Sequence, residues 1–232
     1  VDTQTGKVKS AEALIRWIHP KRGFVSPAIF IPALEESGHI SELDFYVTKK
    51  VFGFMKKRHD EGKKNVPISI NLSWMDFYDE SMIRWIEENV EAYQKMGIAS
   101  RFEITETSFE AMKQNRNNIL ESLQEKGAMT LLDDFGSGYS SYGVLQDYNF
   151  DILKIDMSLV RQIETNPKSR SILKSIIAMA HELGMQLVAE GAETEEQVAF
   201  LRENECDYIQ GYYYSKPLSE DEFIRYLEND QI

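Results

Sequence analysis

The chain has 232 residues, 42% hydrophobic and 28% charged, and its 38 acidic side chains against 26 lysines and arginines give a formal net charge of −12. This composition supports a folded core of one large domain or two small ones. The acidic balance, with no basic stripe, argues against a nucleic-acid polymer as partner. The single cysteine, Cys206, excludes an intrachain disulfide and fits a reducing, cytoplasmic setting. No apolar run reaches membrane-spanning length and the N-terminus has no signal-peptide pattern, so any membrane anchor of the native protein is expected in a segment outside this sequence.

Residues 8–18 read as a strand, with Glu12, Leu14 and Arg16 on one face and Ala13, Ile15 and Trp17 on the other. Ser26-Pro27 opens a short helix that ends before Gly38. Ser41 to Asp44 resembles a weak capping box and predicts a long helix stopping at Gly62. Pro67–Leu72 alternates as a strand, with Ser69 and Asn71 on one face. Asp79 or Ser81 caps a helix to about Met96, Arg101–Thr105 is a strand carrying Glu103, and 109–126 is a polar amphipathic helix stopped by Gly127. Ala128–Asp133 is a strand running into Asp133-Asp134-Phe135-Gly136-Ser137-Gly138, two adjacent carboxylates and a Gly-Ser-Gly loop.

A short helix over 140–148 follows, then a strand over 151–156 with Lys154 near its end, a helix over 169–183, and a strand over 185–189 leading to Glu190-Gly191. Thr194 caps the next helix, with Glu195 and Glu196 in its first turn. A short strand over 206–209 leads to Gln210-Gly211, and Pro217 and Ser219 introduce the last helix. Strands alternate with helices without linker, repeat or low-complexity segment, which predicts a parallel sheet covered by helices. About seven strands suggest a TIM-type barrel lacking one strand.

In such a barrel the polar residues at the strand C-terminal ends face one mouth: Glu12, Asn71, Glu103, Asp133, Asp134, Lys154, Glu190 and Gln210. Adjacent carboxylates repel unless a cation neutralises them. Oxygen-only donors suit Mg²⁺ or Mn²⁺, whereas zinc prefers His and Cys; the four histidines lie outside the set. Two such metals sharing an Asp can activate water for in-line displacement at phosphorus, with Lys154 orienting the water and Arg16 binding phosphate. Any one of these residues alone is ordinary: an Asp-Asp pair is most often a solvated turn, Glu12 an edge charge, Lys154 a solvated lysine. A barrel glycosidase with paired carboxylates fits less well, because it leaves the surplus metal-type ligands and the lysine unused. The tripeptide Asp134-Phe135-Gly136 lacks the other kinase motifs and is accidental. Phe52, Trp74, Trp85 and Tyr93 read as packing, while Tyr212–Tyr214 beside the mouth are candidates for base stacking.

The ordered series Glu12-Ala13-Leu14 with Arg16 and Trp17, Asn71-Leu72-Ser73, Glu103-Ile104-Thr105-Glu106, Asp133-Asp134-Phe135-Gly136, Lys154-Ile155-Asp156, Ala189-Glu190-Gly191 and Gln210-Gly211-Tyr212 resembles the EAL domain family, cyclic di-GMP-specific phosphodiesterases. The resemblance runs from Val1 to Pro217. It implies a modified (β/α)8 barrel whose first strand is antiparallel to the rest. Family members usually have a Tyr-Gln-Pro-Ile strand just before the segment that opens here with Val1-Asp2, so the first strand is expected to be missing or truncated. The resemblance implies metal ligation by Glu12, Asn71, Glu103, Asp133, Asp134 and Glu190, and catalytic roles for Glu12, Lys154 and Glu190. It implies substrate contacts from Leu14, Arg16 and Gln210, and loop support from Glu106 and Glu193. The expected reaction opens cyclic di-GMP to linear pGpG with two Mg²⁺ or Mn²⁺ ions; the alternative is a catalytically silent cyclic di-GMP sensor. The chain is then a single domain over 1–232, excised from a larger signalling protein with a sensory or GGDEF-type domain. A homodimer formed through the Gly-Ser-Gly loop and the helix after it is expected.

Overall fold

The computed structural model describes all residues except 107, 109–118, 138–141 and 230–232. They divide into two compact units, residues 11–129 and residues 1–10 with 130–232.

The first unit opens with β1 (Ala11–Glu12), far shorter than the strand expected over 8–18. Ala11 and Ala13 donate their N–H groups to the carbonyls of Pro67 and Ser69, at 3.0 and 2.9 Å, and the pairing then ends. Trp17–His19 (β2) instead folds back antiparallel on Gly23–Val25 (β3). The N–H groups of Lys21 and Arg22 bond to His19 Nδ1 at 3.1 and 3.2 Å, and Gly23 takes φ +69°. Pro20-Lys21-Arg22-Gly23 is thus a hairpin turn, and Glu12, Leu14 and Arg16 do not share one strand face.

Helix α1 (Pro27–Ser37) starts at its proline and ends on Gly38 in the left-handed conformation, as expected. Helix α2 (Ile40–Asp60) begins before the anticipated cap: His39 is the N-cap without a side-chain bond, so Ser41 and Asp44 lie inside the helix. Strand β4 (Ile68–Leu72) is followed by a 3₁₀ turn (Trp74–Tyr78), held by a true capping box between Ser73 and Asp76. Asp79 then caps α3 (Glu80–Lys95), accepting from the N–H groups of Ser81 and Met82. Strand β5 (Ser100–Thr105) and helix α4 (Ile119–Glu125) complete the unit; the rest of the helix expected over 109–126 falls largely outside the described residues. Here β1, β4 and β5 are adjacent and parallel. Nearly every residue of β4 and β5 is buried on both faces, as in a covered parallel sheet. Phe52 packs against Trp85, Tyr93 and Phe102, and Phe52, Tyr93 and Phe102 are buried, so these aromatics are structural.

The second unit holds all but the first two residues of β6 (Ala128–Phe135), then α5 (Tyr142–Asp147), β7 (Ile152–Ile155), α6 (Met157–Arg161), α7 (Pro167–Glu182), β8 (Gln186–Glu190), α8 (Glu195–Glu203), β9 (Tyr208–Gln210) and α9 (Glu220–Asn229). Strands β6 to β9 are parallel and follow one another in sequence order. Among the described residues the two units therefore contribute seven parallel strands, three and four. The Asp2–Tyr208 bridge is antiparallel: Thr3 N–H donates to Asp207 O at 3.0 Å and Ile209 N–H to Val1 O at 2.9 Å. The first residues thus run along β9 in the direction the resemblance assigns to the first strand. Thr194 and Gln197 form a reciprocal capping box on α8. Cys206 is buried, and burial pushes its thiol up to about 12, so it packs as a small hydrophobe.

Candidate active site

In the unit of residues 11–129, Glu12 ends β1, Asn71 sits near the end of β4 and Glu103 lies on β5. Asn71 and Glu103 are register partners, so their side chains share a face. Asn71 Nδ2 donates to Glu12 Oε1 at 3.1 Å. Glu103 is 2% exposed, and Glu106, just past β5, is also buried. This unit therefore gathers the first three predicted ligands on adjacent strands. Leu14 and Arg16 are exposed beyond β1, and Arg16 Nη1 bonds to the carbonyl of Ile15.

In the other unit, β6 does not stop at Asp133. Leu132 pairs with Leu153 and Phe135 with Ile155, so β6 spends three residues where β7 spends two. The extra residue is a β-bulge at the two aspartates. Asp134 takes φ +57°, a costly conformation for a residue with a Cβ, and its N–H donates to Asp133 Oδ1 at 2.9 Å. Asp133 is buried and Asp134 exposed.

Lys154 is the centre of this half. Its side chain is 2% exposed, and Nζ lies 3.1 Å from Asp133 Oδ1 and 2.6 Å from Glu190 Oε1. A buried ammonium is tolerated only with such partners, so the solvated-lysine reading is excluded. Glu190 and Gln210 are register partners on β8 and β9, and Gly191 N–H donates to Gln210 O at 2.7 Å. Glu193 pairs instead with Arg161 Nη2, at 3.1 Å on the surface. Tyr212 and Tyr213 are exposed after β9.

The donors in both units are carboxylates and an amide. Among the described residues no three His, Cys, Asp or Glu side chains form a ready-made metal cluster. Asn71 turns its amide nitrogen to Glu12. This all-oxygen chemistry fits Mg²⁺ or Mn²⁺.

Composition and spacing do not reveal a carboxyl pair away from these strand ends, with Asp44 half-buried and Asp76 buried. Asp76 is fully buried after β4 and accepts from Ser73 N–H at 2.8 Å. Burial, reinforced by the neighbouring Asp76 carboxyl, pushes Asp44 on α2 up to about 8, and burial pushes Asp76 up to about 6. The only sequence trace is an acid on the inner face of α2, which the mistaken capping box explained away.

The EAL domain family's sequence profile matches residues 1–217. The cyclic di-GMP phosphodiesterase NbdA of Pseudomonas aeruginosa is 36% identical over 95% of this chain, which spans 28% of NbdA. Among solved structures, the EAL enzyme Bd1971 in its cAMP- and cyclic-di-GMP-bound form is 27% identical with a TM-score of 0.87, covering 98% of this chain and 62% of that one. The manganese and cyclic di-GMP complex of Klebsiella pneumoniae BlrP1 is 28% identical with a TM-score of 0.77, covering 94% of this chain and 54% of that one. Agreement over nearly the whole length makes the fold class the α/β, modified TIM-type barrel of these enzymes. By its matched profile and its relatives, the chain belongs to the EAL domain family.

Proposed function

We propose that the chain is a metal-dependent phosphodiesterase that hydrolyses cyclic di-GMP to linear pGpG. The observation that carries this reading is Lys154, buried and held between the carboxylates of Asp133 and Glu190. A purely structural ion pair needs one partner; an ammonium clamped by two strand-end acids keeps both fixed for chemistry.

Glu12, Asn71, Glu103, Asp133, Asp134 and Glu190 would hold the two divalent cations. When bound, the cations offset the charge of substrate and protein and lower the pKa of water. Glu190 takes the proton of the attacking water, and Lys154 orients that water and holds Glu190 toward it. The water oxygen bonds to phosphorus, the ester bond to the ribose 3′-oxygen breaks, and the proton ends on that oxygen. Arg16, Leu14 and Gln210 contact the dinucleotide, Arg16 through its guanidinium to phosphate. Glu106, buried after β5, and Glu193 at the β8 loop are the proposed loop-supporting residues.

The chain spans 28% of NbdA. The proposed setting is a longer signalling protein with a sensory or GGDEF-type domain, acting in the cytoplasm. No helix among the described residues is long and apolar enough to cross a membrane. A homodimer is proposed as the working form; sedimentation of a fully active monomer at high concentration contradicts it. Of the dimerising segment expected at the Gly-Ser-Gly loop and the helix after it, residues 138–141 lie outside the described residues.

The test is incubation with cyclic di-GMP and Mg²⁺ or Mn²⁺, followed by chromatography. The expected result is pGpG that EDTA abolishes and Glu12→Ala removes. Tight binding by calorimetry without turnover supports the sensor reading, and neither binding nor turnover rejects both.

A further inference from the structure

Helix α6 is a single five-residue turn that begins two residues after the end of β7 and three after Lys154. No motif marks it. Its place becomes clear from two glycines, each at the turn that follows a carboxylate partner of Lys154.

Gly136 follows the bulge of Asp133 and Asp134 with φ +94°, and a Cβ there would lie 2.4 Å from Leu159 Cδ1. Gly191 follows Glu190 with φ +73°, and a Cβ there would lie 2.5 Å from Met157 Cβ. Leu159 and Met157 therefore sit directly against the backbones of the two loops. Asp156, the N-cap of α6, is tied to the same places: its N–H donates to Phe135 O at 3.1 Å, and its side chain accepts from Ser158 N–H at 3.0 Å. Arg161 at the other end pairs with Glu193, two residues past Gly191. Val160 is fully buried on the side of α6 that anchors it to the core.

We propose that α6 is a wedge that sets the spacing of the two carboxylates about Lys154, with Leu159 as the positioning residue for the bulged Asp133-Asp134 loop. The physical need lies in Asp134. Its left-handed backbone is held by its own short-range bonds, from its N–H to Asp133 Oδ1 and from Ser137 N–H to its carbonyl at 3.2 Å. Such a conformation persists only where the surroundings over-determine it. The Leu159 methyl, packed against a glycine backbone with no side chain to yield, supplies that constraint. Trimming it lets the Gly136 turn relax toward the wedge and moves both aspartates with it. Arg161 braces the opposite loop more weakly, because its ion pair with Glu193 is about half exposed on both sides.

This inference rests on the phosphodiesterase reading, since it assigns Asp133 and Asp134 to cation binding. The test uses the whole chain and compares Leu159→Ala, Leu159→Met and Val160→Ala. Mn²⁺ affinity is measured by calorimetry without substrate, alongside the Mn²⁺ dependence of turnover and the melting temperature. Removing a residue that orients metal ligands typically weakens affinity about 10–100-fold. Leu159→Ala is therefore expected to weaken Mn²⁺ binding about tenfold, with turnover restored at high Mn²⁺, and Leu159→Met to restore the affinity. Val160→Ala removes core packing and is expected to lower the melting temperature while leaving Mn²⁺ affinity near wild type. Wild-type affinity in Leu159→Ala, or an equal loss in Val160→Ala, overturns the wedge. A wild-type chain that neither binds Mn²⁺ nor turns over cyclic di-GMP overturns the phosphodiesterase reading instead.

Discussion

Replacing Lys154 with methionine separates burial from distance as the source of an ion pair's worth. Lys154 Nζ lies 2.6 Å from Glu190, and Lys56 Nζ lies the same 2.6 Å from Asp60 on α2. The first ammonium is 2% exposed and the second 46%. Coulomb's law in water gives both pairs little, but at an effective dielectric near 20 a pair about 4 Å apart is worth about 4 kcal/mol. Much of that is offset by desolvation when the pair forms. The offset does not help the variant. Methionine fills the volume and leaves Asp133 and Glu190 facing a site with no cation, and removing one member of a buried pair costs about 3–5 kcal/mol.

For a domain of this size each kcal/mol shifts melting by about 2–4 °C, so a fall on the order of 10 °C is expected. The assay is a thermal melt followed by circular dichroism, in metal-free buffer near neutral pH at low and high salt. Lys56→Met should melt where the wild type does, because its pair is solvated and screened. Lys154→Met should fall at both salt concentrations and lose turnover. Equal melting of Lys154→Met and Lys56→Met would refute the reasoning, since distance would then have decided the outcome.

Metal should stabilise the fold: at a free concentration 100-fold above Kd, binding adds about 2.7 kcal/mol, several degrees in melting temperature. EDTA should reverse the rise, and Glu12→Gln or Asp133→Asn should shrink it. A wild-type melt indifferent to Mn²⁺ and Mg²⁺ counts against the ligand assignment. Gly211→Ala should destabilise by about 1–3 kcal/mol, because its Cβ would fall 2.1 Å from the carbonyl oxygen of Ala192; a variant melting like wild type shows that the loop after Glu190 yields freely. Asp44 supplies a pH dependence. Its folded pKa, about 8, lies above its ordinary 3.8, so the folded chain binds more protons than the unfolded one between these values. Stability from this group falls as pH rises from about 4 to 8. Chemical denaturation across that range should show a shallower decline for Asp44→Asn, and parallel curves would exclude the effect.

The strand-end residues could be read from sequence because each stands near the end of an apolar run where the strand period breaks off, and Asp133 and Glu190 also precede a glycine-bearing turn. Asn71, Glu103, Asp133, Lys154 and Glu190 are cases of this, and their ordered series was enough to identify the family. The helix starts at Pro27, Asp79 and Thr194 were legible for a similar reason, since caps act within three or four residues. Tertiary structure decided what depends on partners far along the chain. Residues 8–18 alternate well enough for one strand, but pairing with β4 is available only near Ala11–Glu12, and Trp17–His19 gains more by folding onto Gly23–Val25. Ser41 to Asp44 has the letters of a cap, yet Asp44 is needed inside α2 against Asp76, a residue 32 positions away that local pattern cannot see. The bulge at Asp133-Asp134 exists only as a mismatch of register between β6 and β7. Helix α6 is too short for any periodicity, and its role appears only when Leu159 and Met157 are found against Gly136 and Gly191. Local chemistry thus determined which residues lie at the strand ends, while the long-range packing of strands and loops decided how each carboxylate is held.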